Sequence, residues 1–146
     1  MIGSLQLVAR IGGCGVLFDA ERVDSVVEVG TVVPAPGAAA SVIGLAAMRS
    51  RVATVLDVRT LLGVARCPDE KRREGGRAVA TIVDGHLYAI AVDSLEDVST
   101  FQLGAAPAGL DTTGEWDFVT GIGEGQHETL LALDVDRLVA RASALA

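Results

Sequence analysis

An internal duplication constrains the fold of this chain more than any other feature of its sequence. The segment from Val8 to Ala20 aligns with the segment from Ala80 to Val92, and the alignment places Gly13 on Gly85. Repeats of this kind indicate one structural unit made twice, and such units bury their apolar faces against each other. The sequence therefore predicts two similar halves that pack together and leave a cleft between them.

A second pair of segments extends the duplication. Residues 42–62 align with residues 119–139, at a spacing about five residues longer than that of the first pair. The second copy therefore contains a longer connection between its two halves. We expect the repeated glycines to have structural roles in turns, and the repeated aspartates to share one role. The equivalent pairs are Gly13 with Gly85, Gly44 with Gly121, and Asp57 with Asp134.

The composition favours β-structure. Of the residues, 50% are hydrophobic but only 3% are aromatic, so valine, leucine, isoleucine and alanine must form the core. β-branched residues favour strands, and the apolar runs are short and separated by turns such as Gly12-Gly13 and Asp84-Gly85. About ten short strands fit this spacing, which predicts an all-β barrel or sandwich. Helix is expected only in single turns after Asp57 and Asp134 and in the tail 136–144.

Polar connections indicate where the two copies meet. Residues 65–77 are charged and contain two consecutive glycines, so they form the expected linker. The chain is accordingly interpreted as one domain, 1–146, with a first barrel unit at 1–64, a connecting loop at 65–77 and a second barrel unit at 78–146. Terminal strands are free to cross from one unit to the other.

Charge and cysteine content exclude several classes of function. The formal net charge is −7, with 12 Lys and Arg against 19 Asp and Glu, which argues against nucleic acid or an anionic membrane as the main partner. The basic run Lys71–Arg73 is flanked by acidic residues and is interpreted as a solvated loop. Cys14 and Cys67 are too few for a disulfide framework, so reduced thiols are expected. With no apolar run long enough to span a bilayer and no secretory signal, we expect a cytoplasmic protein.

Asp57 and Asp134 are the carboxylates best placed for acid–base chemistry, because each lies in an apolar setting. Each also precedes a leucine by four residues, where an aspartate side chain would cap the start of a helical turn. The duplication repeats this pair, whereas the members of a catalytic pair usually differ in role. We therefore interpret both residues as structural caps.

Other candidate catalytic or metal sites are weaker. His86 and His127 lie beside acidic residues, which would allow mixed nitrogen and oxygen ligation of a metal, but both fall at expected hairpin turns. A triad of Ser99, His86 and Asp93 lacks any motif that marks a nucleophile. The run Gly121–Gly125 lacks the lysine of a phosphate-binding loop. We therefore expect no enzyme activity, no metal and no cofactor.

Arg49 is present in one copy only. It lies in the run Met48–Arg51 between two apolar segments, and the equivalent run of the second copy, Gly125–Glu128, contains no arginine. The shared architecture therefore does not require it. Its guanidinium offers five donors in a planar fork that suits carboxylates or carbonyls on a partner. Arg49 is thus either a partner contact, with Met48 and Arg51 in support, or a surface residue without a role.

Taken together, these features resemble the CheW family of chemotaxis adaptor proteins. The resemblance covers nearly the full chain and is carried by the segments Leu7–Val29, Val42–Ser50, Val55–Arg59, Ile82–Val98 and Val119–Val135. It implies an all-β fold of two pseudo-repeated SH3-like five-stranded barrels packed together, with short helical turns and a short C-terminal helix. This agrees with the duplication and with the number of strands.

The resemblance also implies a function. Members of the family are non-enzymatic adaptors that couple the cytoplasmic tips of chemoreceptors to the histidine kinase CheA in membrane receptor arrays. A receptor's helical hairpin tip is bound in the groove between the barrels, and the first barrel pairs with the kinase's regulatory domain. By position, Arg49 matches the arginine of the family's Asn-Leu-Arg-Gly motif, and Val23 and Ala89 match groove positions that contact the receptor. In such recognition, apolar anchors supply affinity and the charged residue supplies register.

The sequence departs from the family pattern around its arginine. Ala47, Met48 and Ser50 replace the Asn, Leu and Gly of the motif, and Ser25 stands where the family commonly has an acidic residue. An alternative interpretation is therefore a divergent CheW-like module that recognises another regulator or a small ligand through the groove between the barrels.

Overall fold

The computed structural model describes residues 3–64 and 76–144. Within these residues the protein has ten β-strands, one α-helix and two single turns of 3₁₀ helix, at Ala20–Arg22 and Thr60–Leu62. The strands are β1 (Ser4–Ile11), β2 (Cys14–Asp19), β3 (Ser25–Val29), β4 (Val42–Met48), β5 (Arg51–Leu56), β6 (Gly76–Val83), β7 (His86–Ala91), β8 (Ser94–Phe101), β9 (Val119–Glu124) and β10 (Thr129–Leu133). The helix α1 (Val135–Ser143) follows β10. The strands and the short C-terminal helix agree with the prediction from sequence.

The strands form two sheets of five, and each sheet takes strands from both copies of the duplication. The first sheet has the order β8-β1-β2-β10-β9, and the second sheet has the order β3-β6-β7-β5-β4. The duplication pairs β1 to β5, in order, with β6 to β10. Replacing every strand by its equivalent converts one sheet order into the other, so the two sheets have the same topology.

The hairpin that starts each copy is therefore exchanged. β1 and β2 lie between strands of the second copy, and β6 and β7 lie between strands of the first. The sequence units 1–64 and 78–146 consequently do not each form a sheet of their own. The alignment could not distinguish these arrangements, because equivalent strands offer the same apolar pattern to either sheet.

The expected linker lies mostly outside the described residues. β6 begins at Gly76, so the last two residues of the segment 65–77 belong to a strand. The remainder of the linker, with Cys67 and the basic run Lys71–Arg73, is not part of the described structure.

The hairpin turns at Gly12-Gly13 and Asp84-Gly85 form as predicted. The strands on either side of each turn pair directly, so each turn has two residues. All four turn residues have positive φ, from 51° at Asp84 to 82° at Gly13. Positive φ at both central residues is the conformation of a type I′ turn, which matches the twist of the flanking strands.

Gly44 and Gly121 are required by close backbone contacts. Beside Gly44, Val33 and Leu45 exchange two backbone hydrogen bonds of 2.8 Å, and Gly104 makes the equivalent contact beside Gly121. A Cβ at either glycine would overlap with the carbonyl oxygen of Val33 or of Gly104. The duplication repeats these glycines because a neighbouring segment of backbone leaves no space for a side chain.

Three apolar clusters form the core. The largest contains residues of both sheets, such as Phe18 and Ile90, both fully buried, and it joins the two sheets. Burial of one side chain of this size stabilises the fold by about 1.5–3 kcal/mol. Each sheet also encloses its own smaller cluster. Val8, Leu17, Leu130 and Ala132 of the first sheet are equivalent to Ala80, Ala89, Ala53 and Val55 of the second. Two small barrels packed on a shared apolar interface confirm the predicted fold class.

Candidate functional site

Arg49 lies at the tip of the hairpin that joins β4 and β5. Met48 pairs with Arg51 across this hairpin, so Arg49 and Ser50 form a two-residue turn. Arg49 has a φ of 58°, which is uncommon for a residue that carries a Cβ. Its side chain is exposed. Positive φ at a central residue is the conformation that a two-residue hairpin turn requires, so the turn geometry places the Arg49 side chain at the tip of the hairpin.

Arg49 and Arg51 have no ion-pair partner within residues 3–64 and 76–144. The other arginines of this part of the chain each have a carboxylate oxygen within 4.0 Å; they are Arg10, Arg22, Arg59, Arg77, Arg137 and Arg141. In a protein with a net charge of −7, two arginines one residue apart that pair with no carboxylate among these described residues are an unusual local excess of positive charge. They are therefore available to the carboxylates of a partner.

An exposed apolar surface adjoins this turn on the outer side of β4 and β5. Leu45 and Ala47 alternate outward along β4; Val33 bridges to Leu45, and Val52 pairs with Ala47. Val33 is 63% exposed and Val52 is 64% exposed. We name Val33, Leu45, Ala47 and Val52 the hairpin face. Contiguous exposed apolar residues of this kind mark protein interaction sites.

Val23 and Ile82 lie toward the same end of the second sheet as Arg49. β3 begins opposite Ala80, near the end of β6. β7 starts at the hairpin turn that follows β6, and β5 runs parallel to β7. The starts of β3 and β5 and the end of β6 therefore lie at the same end of the second sheet. Ile82 is 38% exposed, and Val23 is half-buried against the shared core. We name Val23, Ile82, Arg49 and Arg51 the second-sheet end.

Ala89 does not line a groove. It is fully buried in the small cluster inside the second barrel, where it lies opposite Val55 in the parallel pair of β5 and β7. Its equivalent in the first sheet, Leu17, is also fully buried. The assignment of Ala89 to a receptor-contacting groove is therefore corrected, because its side chain has no surface to offer. The position is one of barrel packing in both copies.

Asp57 and Asp134 occupy equivalent positions before a helical turn. The Asp134 carboxylate accepts a hydrogen bond of 3.0 Å from the Arg137 amide at the start of α1, and the Asp57 carboxylate accepts one of 3.1 Å from the Arg59 amide. Their own amides donate to equivalent carbonyls in the preceding loops, at distances of 2.7 and 2.8 Å. Asp134 is thus the N-cap of α1. The Asp57 bond spans only two residues and precedes the 3₁₀ turn Thr60–Leu62, whose N-cap position is Arg59 and has no side-chain cap bond.

The remaining polar candidates are separated or already engaged. His86 and His127 are exposed at or beside hairpin turns, and the described residues contain no group of three or more metal-ligating side chains. Ser99 donates a hydrogen bond of 2.7 Å to Asp97, and Asp93 accepts from Arg59. No nucleophile–base contact results from this arrangement.

Cys14 is half-buried at the start of β2. Burial raises the pKa of its thiol, and the nearby Glu128 raises it further. A raised pKa keeps the thiol protonated and unreactive at neutral pH.

In the first sheet, Arg10 occupies the position equivalent to Ile82 and is bound by two glutamates. Its guanidinium donates two hydrogen bonds to Glu128, one of them 2.8 Å long, and its Nε donates to Glu96 at 2.5 Å. Pairing with Glu128 and Glu96 raises the pKa of Arg10, and pairing with Arg10 lowers the pKa of Glu128. No spacing in the sequence indicates this cluster, because its members are distant in the chain and only the exchange of hairpins brings them together.

The cluster lies in a surface depression of about 770 Å³ at the end of the first sheet. Four carboxylates line this depression, those of Glu96, Asp97, Glu124 and Glu128. Two smaller depressions lie near the ends of β1 and β2. None of the three is lined by Val23, Arg49 or Ala89, so the three predicted groove residues do not meet in any of them.

The exchanged topology, the shared core and the exposed surfaces define a β-protein of two packed SH3-like barrels, whose most distinctive exposed residues suit contact with other proteins. The family model described as a CheW-like domain matches residues 6–143, and the chain belongs to this family.

Comparison of structures gives the same fold. The chain is similar to the crystal structure of the scaffolding protein TtCheW from Thermoanaerobacter tengcongensis, with a TM-score of 0.75 and 17% sequence identity. The match covers 94% of this chain and 92% of that chain. A search of curated proteins finds no match. Within the described residues, no helix has both the length and the apolar character needed to cross a membrane.

Proposed function

We propose that the protein is a non-enzymatic cytoplasmic adaptor of chemotaxis-type signalling, which couples a chemoreceptor tip to a CheA-type histidine kinase. Membership of the CheW-like family and the fold of a scaffolding protein support this function. The observation that carries the proposal is that Arg49 and Arg51, at an exposed turn beside an exposed apolar face, have no ion-pair partner in the part of the chain that the structure describes.

The second-sheet end is the proposed contact for the receptor's helical hairpin tip. Val23 and Ile82 provide apolar area for one side of a helix, and the two arginines provide bidentate donors for carboxylates on that helix. Charged contacts of this kind contribute register and association rate more than affinity. Ala89 has no part in this surface, for the reason given above.

The hairpin face is the proposed contact for the kinase's own CheW-like regulatory domain. It lies in the first sequence unit, and its residues come from β4, β5 and the segment before β4. The face is apolar and solvent-exposed, as expected for one half of a packed protein interface.

The proposal is tested by measuring the affinity of the folded protein for a soluble receptor-tip fragment and for a kinase regulatory domain from the same genome. Arg49→Ala with Arg51→Ala should weaken receptor binding by about tenfold or more, while Arg77→Ala, an exposed arginine away from this surface, should not. Val52→Glu should weaken kinase binding, and Val98→Glu, an exposed valine of the first sheet, is its matched control. A folded wild-type protein that binds neither partner would remove the proposal.

A further inference from the structure

The two sheets present equivalent ends to solvent. In the second sheet, Met48 and Arg51 pair across the β4–β5 turn. In the first sheet, the regular pairing of β9 and β10 ends at Glu124 and Thr129, and beyond it the amide of Gly125 donates a hydrogen bond of 2.8 Å to the carbonyl of Glu128. The two turns differ in backbone, because Arg49 has a φ of 58° whereas φ is not positive at Gln126 or His127. The surrounding strands have the same order, so a partner that recognises the arrangement of strands at one end would find the same arrangement at the other.

The side chains at these equivalent positions differ mainly in charge. We name Arg10, Glu96, Gln126 and Glu128 the first-sheet end. At the equivalent positions the second-sheet end carries Ile82 and two arginines without an ion-pair partner among residues 3–64 and 76–144, whereas the first-sheet end carries Arg10, which pairs with two glutamates. The equivalent pairs are Ile82 with Arg10, Arg49 with Gln126, and Arg51 with Glu128.

The first-sheet end is consequently acidic. Its depression is lined by four carboxylates and a single guanidinium, that of Arg10. Glu128 and Glu96 occupy this guanidinium, so it has few donors left for a ligand. The lowered pKa of Glu128 also keeps its carboxylate charged well into acidic pH.

We infer that Arg10, Glu96 and Glu128 are specificity-determining residues that exclude an acidic partner from the first-sheet end, so that the adaptor binds one receptor tip per chain. This inference rests on the proposed function, in which the receptor tip offers carboxylates to Arg49 and Arg51. A tip docked in the same way on the first sheet would bring those carboxylates against Glu128 instead of against an arginine. Like charges placed together in an interface oppose binding and select between otherwise similar sites.

The inference is tested by moving the charge pattern from one end to the other. The starting variant, Arg49→Ala with Arg51→Glu, is expected to lose binding of the soluble receptor-tip fragment. Adding Arg10→Ile, Gln126→Arg and Glu128→Arg gives the first-sheet end the residues of the second, and binding should return with a Kd within about tenfold of wild type. In the wild-type background the same three substitutions should raise the stoichiometry from one tip to two per chain, measured by sedimentation velocity.

A matched control separates local from overall charge. Glu115→Arg lies in an exposed loop away from both ends and raises the net charge by the same amount as the three substitutions together. If it restores binding equally, the inference is wrong, because only net charge matters. Glu128→Arg alone serves if the triple variant does not fold, with a smaller recovery expected.

The remaining outcomes distinguish the inference from the proposed function. Failure of folded transplanted variants to bind, with normal binding by the wild type, overturns the inference and leaves the proposed function intact. Failure of the wild type to bind the tip at all removes both.

Discussion

Arg22 and Asp136 form an ion pair with two hydrogen bonds. The pair connects the segment between β2 and β3, where the chain passes from the first sheet to the second, to the first turn of α1. The Arg22 Nη1 and Nη2 atoms lie 2.8 and 2.9 Å from the two carboxylate oxygens, and Nη2 also donates to the carbonyl of Ile82 at 3.1 Å. In the other copy, Arg59 occupies the position equivalent to Asp136 and pairs with Asp93. Each copy thus has an ion pair at its first helical turn, but with different partners, because Asp93 aligns with Glu21 and not with Arg22.

The Arg22 pair should stabilise the protein only while Asp136 is ionised. Pairing with Arg22 lowers the pKa of Asp136, so its contribution is complete above the ordinary aspartate pKa and disappears as pH falls through the lowered value. Both side chains are partly solvated, so Arg22→Ala should cost only about 0.5 kcal/mol at neutral pH. Urea unfolding of the wild type and of the Arg22→Ala variant, between neutral and strongly acidic pH, measures the difference in their free energies of unfolding. A difference that persists unchanged at the acidic end would contradict it; Arg77→Ala, whose partner is 3.9 Å away, is the neutral control.

Replacement of Gly44 by alanine should be strongly destabilising. The added Cβ would overlap with the Val33 carbonyl, so the bridge between Val33 and Leu45 must open or shift. We expect a loss of more than about 2 kcal/mol in the free energy of unfolding. Gly30→Ala is the matched control, since no atom lies within 4 Å of a Cβ built there. Equal stability of the two variants by chemical denaturation would disprove the close-contact explanation.

Arg49→Gly should separate stability from partner binding. Glycine adopts the φ of 58° without strain, which should offset its greater entropy in the unfolded chain and leave the protein as stable as wild type or about 0.5 kcal/mol more stable. Binding of the receptor tip should nevertheless weaken. Thermal melting and affinity are measured on the same preparation. Destabilisation with unchanged binding would assign Arg49 a purely structural role.

Ala89→Leu discriminates between barrel packing and a groove contact. Because Ala89 is fully buried, the larger side chain should overpack the second barrel and cost about 1–3 kcal/mol. The equivalent Leu17 of the first barrel packs with a different set of neighbours, Val8, Leu130 and Ala132. A groove residue would instead lose partner affinity at unchanged stability, which denaturation and binding measurements together would reveal.

The cap at Asp134 should contribute about 1 kcal/mol through its bond to the Arg137 amide. Asp134→Ala should lose this amount, while Asp134→Asn should retain most of it, because an asparagine side chain also accepts the amide hydrogen. Circular dichroism during urea unfolding measures both variants. An asparagine variant as unstable as the alanine variant would indicate that charge, rather than capping, is responsible.

The local features of the fold were predictable because neighbouring residues determine them. Positive φ at Gly12-Gly13 and Asp84-Gly85 sets two tight hairpins, and short valine-rich runs between turns set the strands. Asp134 precedes the helical spacing of α1, where the cap contact forms. The duplication also implied two similar barrels, because equal sequences bury equal faces.

The tertiary structure alone decided how the copies combine and which residues reach the surface. Equivalent strands have the same apolar alternation, so nothing in the pattern selects exchange of the hairpins over separate barrels, and only the complete set of pairings does so. That exchange brings Arg10 to Glu128 and places Ala89 inside the second barrel, where it is buried. Contacts between residues far apart in the chain depend on three-dimensional packing, and the spacing of residues in the sequence does not determine that packing.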